Sequence, residues 1–324
     1  MNASYDKNAA VVVLPPVGNG RLNNAELKVW LAQSDLTHEP GPKELLARII
    51  QEIGLPYPDQ GMAALRLWGQ TGDRPTNWIA GADPVYLEPR LDHLCLHALL
   101  QAGVDPGHMR ALIDHLQAKL AGDKRLGFLQ LGSCCYLSSS RPIATASLPA
   151  YVVDQKKPDE YLPVGKDSAS FRTLQSEIEM ALHEHAANLE REAAGQLPVN
   201  SLWLWGGGTA PEQIIRPQPP LFSDDGLLRG YWHSATAVAE SWPGTIEKCI
   251  EKSVAGFIAV VPEFDDGLDM LESCLNALHA ALRSGRLSSL TLLFRDGLRA
   301  NVRRSHTVRV WRRSSRLLDA ANDE

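Results

Sequence analysis

The sequence predicts an α/β fold, a mostly parallel sheet flanked by helices, and three observations carry that reading. Val199 to Trp205, Gly256 to Val261 and Leu290 to Phe294 are short β-like runs separated by helical patterns at Gly226 to Glu240 and Leu268 to Leu282. Strands alternating with helices build parallel βαβ units, with ligand sites at the carboxyl ends of the strands. Ala9 to Leu14 is an apolar β-rich run stopped by Pro15 and Pro16, as expected of a buried strand. The 324 residues are 44% hydrophobic and 22% charged, an ordinary globular composition with ample core-forming material.

The remaining elements follow in chain order. Between Pro42 and Ile53, Leu45, Leu46, Ile49, Ile50 and Ile53 recur at helical spacing, with Gly54 placed to end the helix. Met62 to Gly69 reads as a strand, and Leu91, Leu94, Cys95, Ala98 and Leu99 read as the apolar face of a helix. Pro106 to Leu120 is a further amphipathic helix, followed by short β-like pieces between Leu126 and Val153. Asp154 to Glu160 is polar, charged and proline-containing, and marks a boundary between portions 1–154 and 160–324 of one continuous core. From Ser170 to Ala194 a single long helix is expected, with Phe171, Leu174, Ile178, Ala181, His185 and Leu189 on one stripe.

Charge and cysteine content exclude several classes. A formal charge of −6 disfavours a generally basic nucleic-acid surface. The longest uncharged stretches fall short of a membrane span, and the first residues lack a secretory pattern, so a cytoplasmic protein without membrane association is expected. Cys95, Cys134, Cys135, Cys249 and Cys274 are too few and scattered for a disulfide framework and read as reduced, buried thiols. The C-terminal part departs from the average. Arg295, Arg299, Arg303, Arg304, Arg309, Arg312, Arg313 and Arg316 lie in a stretch whose only acid is Asp296, which leaves about −13 on the rest. Within it His306 to Arg312 alternates like a strand, either a charged edge that resists aggregation or a docking face for an acidic partner, a phosphate or nucleic acid.

The most unusual segment is Asn200-Ser201-Leu202-Trp203-Leu204-Trp205-Gly206-Gly207-Gly208, a strand running into three glycines. Such glycines either let the backbone approach an anion closely or form a tight crossover. This segment, the preceding Leu182 to Glu192 and the earlier Ala82-Asp83-Pro84-Val85-Tyr86-Leu87 resemble bacterial regulatory proteins of the RpfE type. The W-L-W-G-G-G element also resembles archaeal-type, cofactor-independent phosphoglycerate mutases of the alkaline-phosphatase superfamily. The resemblance implies an alkaline-phosphatase-like α/β core. In the enzymes it implies two divalent metals held by Asp and His beside a nucleophilic Ser.

The mutase motifs depart from that pattern at three places. Where the first strand of the enzymes ends in an Asp-containing ligand motif, Pro15-Pro16-Val17-Gly18-Asn19-Gly20-Arg21 stands here. The second motif becomes Pro262-Glu263-Phe264-Asp265-Asp266-Gly267-Leu268-Asp269, acidic but without His. The third becomes Arg295-Asp296-Gly297, and a cation at that place opposes metal binding by Coulomb repulsion.

The expectation is therefore a regulatory or ligand-binding protein on a degenerate phosphoglycerate-mutase-like scaffold, without turnover and with no catalytic residues or cofactor. The alternative is a metal-dependent mutase or related phosphotransferase. Asn200, Gly206, Gly207, Gly208 and Arg229 are the anion-binding candidates, and Asp265 and Asp266 are the metal candidates under the alternative. The expected partner is a small anionic ligand or a regulatory protein. His93 and His97 stand four apart, a spacing that can share a metal on a helix or simply flank an apolar stripe. His183 and His185 cannot converge on a helix, and His185 reads as a core histidine.

Overall fold

The computed structural model describes residues 8–17, 22–39, 44–99, 103–122, 125–165, 168–253, 255–263, 267–309 and 311–319. In chain order the elements are β1 (Ala9–Leu14), α1 (Ala25–Gln33), β2 (Asp35–His38), α2 (Leu45–Ile53), α3 (Met62–Thr71), β3 (Trp78–Pro89), β4 (Leu94–Ala98), α4 (Pro106–Leu120), β5 (Leu126–Leu131), β6 (Cys134–Ser139), α5 (Ala150–Val153), α6 (Ser168–Leu182), α7 (Ala186–Ala193), β7 (Ser201–Gly208), β8 (Leu221–Phe222), α8 (Gly226–Ser234), β9 (Ala239–Glu240), α9 (Ile246–Lys252), β10 (Phe257–Val260), α10 (Gly267–Ser284), β11 (Ser289–Phe294), β12 (Leu298–Arg303) and α11 (Arg316–Asp319). The chain divides into two compact units, residues 1–57 with 213–324, and residues 58–212. This division differs from the expected portions 1–154 and 160–324, because one unit is assembled from both ends of the chain. Each unit encloses its own apolar core.

The first unit holds a seven-stranded sheet in the order β2-β12-β11-β1-β10-β8-β9. β1 lies between β10 and β11 and is parallel to both, β8 and β9 continue the parallel run, and β12 is antiparallel to both its neighbours. The fold is thus α/β with a mostly parallel sheet, as the alternation predicts. Ala10 to Leu14 are all at most 3% exposed, which is why this strand reads as an unbroken apolar run rather than an alternating one. α2 ends at Gly54, whose φ of +67° supplies the left-handed turn, and Glu44 caps its start. α10 covers the predicted Leu268 to Leu282, whereas the pattern at Gly226 to Glu240 is helical only as far as Ser234 and ends in β9.

The second unit carries an antiparallel sheet, β4-β3-β6-β5, with β7 added against β3. This corrects the expectation that Val199 to Trp205 joins the strands near residues 257 and 290 in one parallel sheet. β7 runs antiparallel to β3, and Trp205 stands opposite Gly81, where any side chain would collide with the indole. Arg66 of α3 sits over the Trp205 and Tyr136 rings, donates to Asp83 Oδ1 at 2.9 Å and to the Cys135 carbonyl at 3.0 Å, and so ties the helix to the sheet.

Four further expectations change. Met62 to Gly69 belongs to a helix, not a strand: every residue of it except Arg66 is buried, so no polar positions disclose the 3.6 period. Leu91 is fully exposed and Leu94 to Ala98 is a strand, not a helix. The long helix breaks at His183 and Glu184, whose φ is +54°, and His185 caps α7 by accepting from the Ala187 amide. Arg304 to Val308 forms a 3₁₀ turn instead of a strand, while Val310 lies outside the described residues.

Candidate functional site

In an open parallel sheet the place for a ligand is the crevice at the carboxyl ends of the strands. In the first unit these ends are Pro15 to Val17 after β1, Ser223 to Asp225 after β8, Val261 to Glu263 after β10, and Arg295 with Asp296 after β11. Arg295 donates through Nη2 to the Val261 carbonyl at 3.1 Å, and its Nε lies 3.0 Å from Glu263 Oε1. Asp296 Oδ2 accepts from the Val17 amide at 2.8 Å, stitching the end of β11 to the end of β1.

A second guanidinium reaches the same strand end from α2. Arg48, 7% exposed, donates through Nη1 to the Phe294 carbonyl at 2.9 Å. Burial lowers its proton affinity, the nearby charges of Glu39, Asp296 and Glu52 raise it, and that of Arg295 lowers it further. Arg48 Nη2, Arg295 Nε and, on α8, Arg229 Nε are buried donors without a hydrogen-bond partner. The Arg295 nitrogen is close to a carboxylate yet not aligned with it for a hydrogen bond. Unmet buried donors are costly, and two of these, Arg48 Nη2 and Arg295 Nε, belong to side chains that meet at the end of β11.

Glu44 stands at the start of α2, one turn before Arg48. It is 3% exposed, and both its oxygens accept from the first amides of α2, Leu46 at 2.9 Å and Ala47 at 3.0 Å. Burial pushes its carboxyl up to about 7 against those two bonds, and the charge of Asp225 at the start of α8 acts with burial. The sequence reading missed Glu44 and Arg48 because both sit inside a segment read for its apolar stripe. The mid-helix arginine on the stripe side was the available signal.

The five anion-binding candidates divide between the units. Arg229 belongs to the first. In the second unit, Asn200 is consumed by β3, accepting from the Leu87 amide at 2.8 Å and donating to the Leu87 carbonyl at 2.9 Å. The Gly206 amide donates to Ala146 O at 2.8 Å and the Gly207 amide to Thr145 Oγ1 at 3.0 Å. A Cβ at Gly207 would collide with the Trp78 ring, and one at Gly208 would come 2.5 Å from the Gly61 amide. The glycines thus serve close packing between β7, Trp78 and the start of α3. Asp265 and Asp266 lie outside the described residues.

The described residues at the parallel strand ends do not fit a pair of divalent cations. A guanidinium holds Glu263, and a backbone amide holds Asp296. In the C-terminal stretch Arg309 pairs with Asp35 at 2.6 Å, Arg312 donates to the Ser34 carbonyl at 3.2 Å, and Arg299 grips Glu52 through two 2.7 Å bonds. These three arginines are partly spent on the chain's own first strands and helices. All five cysteines are free and buried.

Comparison with known proteins adds to this geometry. No family model matches the chain. A 2,3-bisphosphoglycerate-independent phosphoglycerate mutase of Methanosarcina barkeri is 36% identical over 106 residues, 32% of this chain and 26% of the relative. The enzyme of the same description from Methanothrix thermoacetophila is 27% identical over 142 residues, 42% of this chain and 36% of the relative. Over part of its length, the chain is similar to phosphoglycerate mutases. The matches span about a quarter to a third of those relatives. Among solved structures, the PH0037 protein from Pyrococcus horikoshii superposes with a TM-score of 0.54 at 12% identity, covering 91% of this chain and 87% of that one. A cofactor-independent phosphoglycerate mutase from Thermoplasma acidophilum gives 0.43 at 17% identity, with 91% and 89% covered. No described helix is long and apolar enough to cross a membrane.

Proposed function

We propose that the chain is a ligand-binding regulatory protein of the RpfE type, built on a phosphoglycerate-mutase-like scaffold and without phosphoryl-transfer turnover. The observation that carries this reading is the pair of guanidiniums at the end of β11. Arg48 Nη2 and Arg295 Nε are buried donors without a hydrogen-bond partner, the latter at ion-pair distance from Glu263, at the strand ends where the resembling enzymes hold metals. Two guanidiniums so placed suit a small anion, a phosphate or carboxylate, that accepts from both side chains without passing through a metal-stabilised transition state. Arg229, on α8 of the same unit, also has a buried Nε without a hydrogen-bond partner and is kept as a further candidate for the anion. The segment Gly206 to Gly208 supports the scaffold rather than the ligand.

Two measurements test the proposal on the full chain. Calorimetric titration with inorganic phosphate and with 3-phosphoglycerate is expected to show binding that weakens about tenfold in Arg295→Ala, the loss of a charge-assisted contact. Mutase and phosphatase assays with added Mn²⁺, Mg²⁺ or Zn²⁺ are expected to stay at background. Metal-stimulated turnover that disappears in Asp265→Asn or Asp266→Asn would establish the enzyme instead.

A further inference from the structure

The conversion of residues 94–98 from an expected helix to a strand changes what the histidines there can reach. On a helix His93 and His97 would share a face; here His93 Nδ1 turns to Asp92 at 2.6 Å, and His97 looks across the ladder. β3 and β4 are antiparallel, with Glu88 opposite Cys95 and Tyr86 opposite His97. Directly opposed residues, and residues two apart on one strand, share a face of the sheet. Glu88, Cys95 and His97 therefore project from the same side. One donor atom from each, a carboxylate oxygen, a thiol sulfur and an imidazole nitrogen, lies within 4.8 Å of the other two.

We propose that Glu88, Cys95 and His97 form a binding site for one divalent transition-metal ion of the zinc type. It lies within the second unit and is independent of the function proposed above. The donor set selects the metal: thiolate and imidazole favour Zn²⁺ and its neighbours over Mg²⁺ or Ca²⁺, which prefer oxygen throughout. The dimensions agree. Tetrahedral zinc with bonds of roughly 2.0 to 2.3 Å sets its ligand atoms about 3.3 to 3.5 Å apart. One pair, His97 Nε2 and Glu88 Oε2, stands at 2.7 Å, and all three atoms stay within 4.8 Å, so small side-chain rotations reach the metal geometry.

The surroundings hold the ligands and leave a way in. Both edges of β4 are fixed: one by β3, the other by the Leu96 amide donating to Lys156 O at 3.0 Å, the Gln155 amide donating to Leu96 O at 2.7 Å, and the Ala98 amide donating to Asp154 Oδ1 at 2.7 Å. A site on paired strands is held more closely than one on a loop. Cys95 is 8% exposed, while Glu88 and His97 are partly open to solvent, so an ion enters from outside and meets the sulfur last. Arg90 Nη2, 2.6 Å from Glu88 Oε2, is the present cation on that carboxylate; its side chain is half exposed and can return to water when a metal replaces it. Binding requires the Cys95 thiol to release its proton to solvent and the His97 proton to leave Nε2, passing through solvent to Nδ1, as the metal replaces the hydrogen bond to Glu88. Three protein ligands leave the fourth position to water.

The full chain titrated with Co²⁺ is expected to develop visible bands of a four-coordinate site and an intense near-ultraviolet band from thiolate charge transfer. Both should saturate at one equivalent and be displaced by Zn²⁺ but not by the same concentration of Mg²⁺. Cys95→Ser should abolish the near-ultraviolet band, His97→Gln should weaken Co²⁺ binding roughly tenfold or more, and Cys134→Ser should change neither. Absence of the thiolate band in the unaltered protein, or its survival in Cys95→Ser, overturns the proposal. If the buried serine prevents folding, the partly exposed His97 decides: unchanged Co²⁺ affinity in a folded His97→Gln protein overturns it equally.

Discussion

Glu44 offers a sharp test of how the first unit is balanced. Its carboxyl rises from the ordinary 4.5 to about 7 on folding, with burial as the main cause. Because the folded value is the higher one, folding favours the protonated form. The contribution is fully present below pH 4.5 and is lost as pH rises through 7, a swing of about 3 kcal/mol. Glu44→Gln removes the titration but leaves a single oxygen to serve the Leu46 and Ala47 amides, so one capping bond of about 1 kcal/mol is lost. The variant should therefore be less stable than the unaltered protein by about 1 kcal/mol at pH 4 and more stable by about 2 kcal/mol at pH 8, the curves crossing at about pH 5. Urea unfolding of both proteins from pH 4 to 8 reads this difference directly, because every other titrating group cancels in the comparison. A stability difference that does not vary with pH would refute the reasoning, since it would mean that Glu44 ionises in the folded protein as it does in water.

Other expectations follow from individual contacts. Gly207→Ala, which drives a methyl into the Trp78 ring and toward Thr145, should cost about 1 to 3 kcal/mol in urea unfolding; a neutral result would reopen the segment as a ligand loop. Burial pushes the Cys135, Cys249 and Cys274 thiols up to about 12, so in the folded protein at pH 8 they should resist iodoacetamide that modifies them in urea, and rapid native labelling of any of them would contradict their placement. Asp35 is held below its ordinary 3.8, first by its hydrogen bond with Arg309, and the contribution this makes is present above that value and lost as pH falls below it. Asp35→Asn should accordingly speed proteolysis beyond Arg303 at neutral pH, and unchanged cleavage would show that the ion pair does not anchor the segment.

The strands and helices of the first unit were legible where one period dominates. Ala9 to Leu14 reads as a buried strand because it is covered on both faces, and Pro106 to Leu120 reads as a helix because Met109, Leu112, Ile113 and Leu116 form its buried stripe while Asp105 caps it. Met62 to Gly69 defeats the same logic. A helix buried nearly all round shows no polar period, and a run of eight residues with a single charge suits a strand equally well. Position in the sheet was less legible still. The alternation after Val199 suggests one parallel sheet, yet β7 pairs with β3, more than a hundred residues earlier, and nothing local to either strand announces that pairing. The complement of Trp205 by Gly81 becomes readable only once the register is known.

The same distinction governs the candidate sites. Three consecutive glycines signal close approach of something to the backbone, and that inference holds: Trp78 and the start of α3 approach them. Arg295 was legible because it stands directly after a β-run, so its place at a strand end follows from local pattern alone. Arg48 was not, since its meaning depends on α2 crossing the end of β11. Glu88, Cys95 and His97 lie furthest from legibility: assigned to a helix, Cys95 and His97 belong to different faces, and Glu88 belongs to no element at all. Chemistry built across a strand pair depends on register, which a one-residue slip inverts, so the ligand set can be read only from the ladder that the second unit forms.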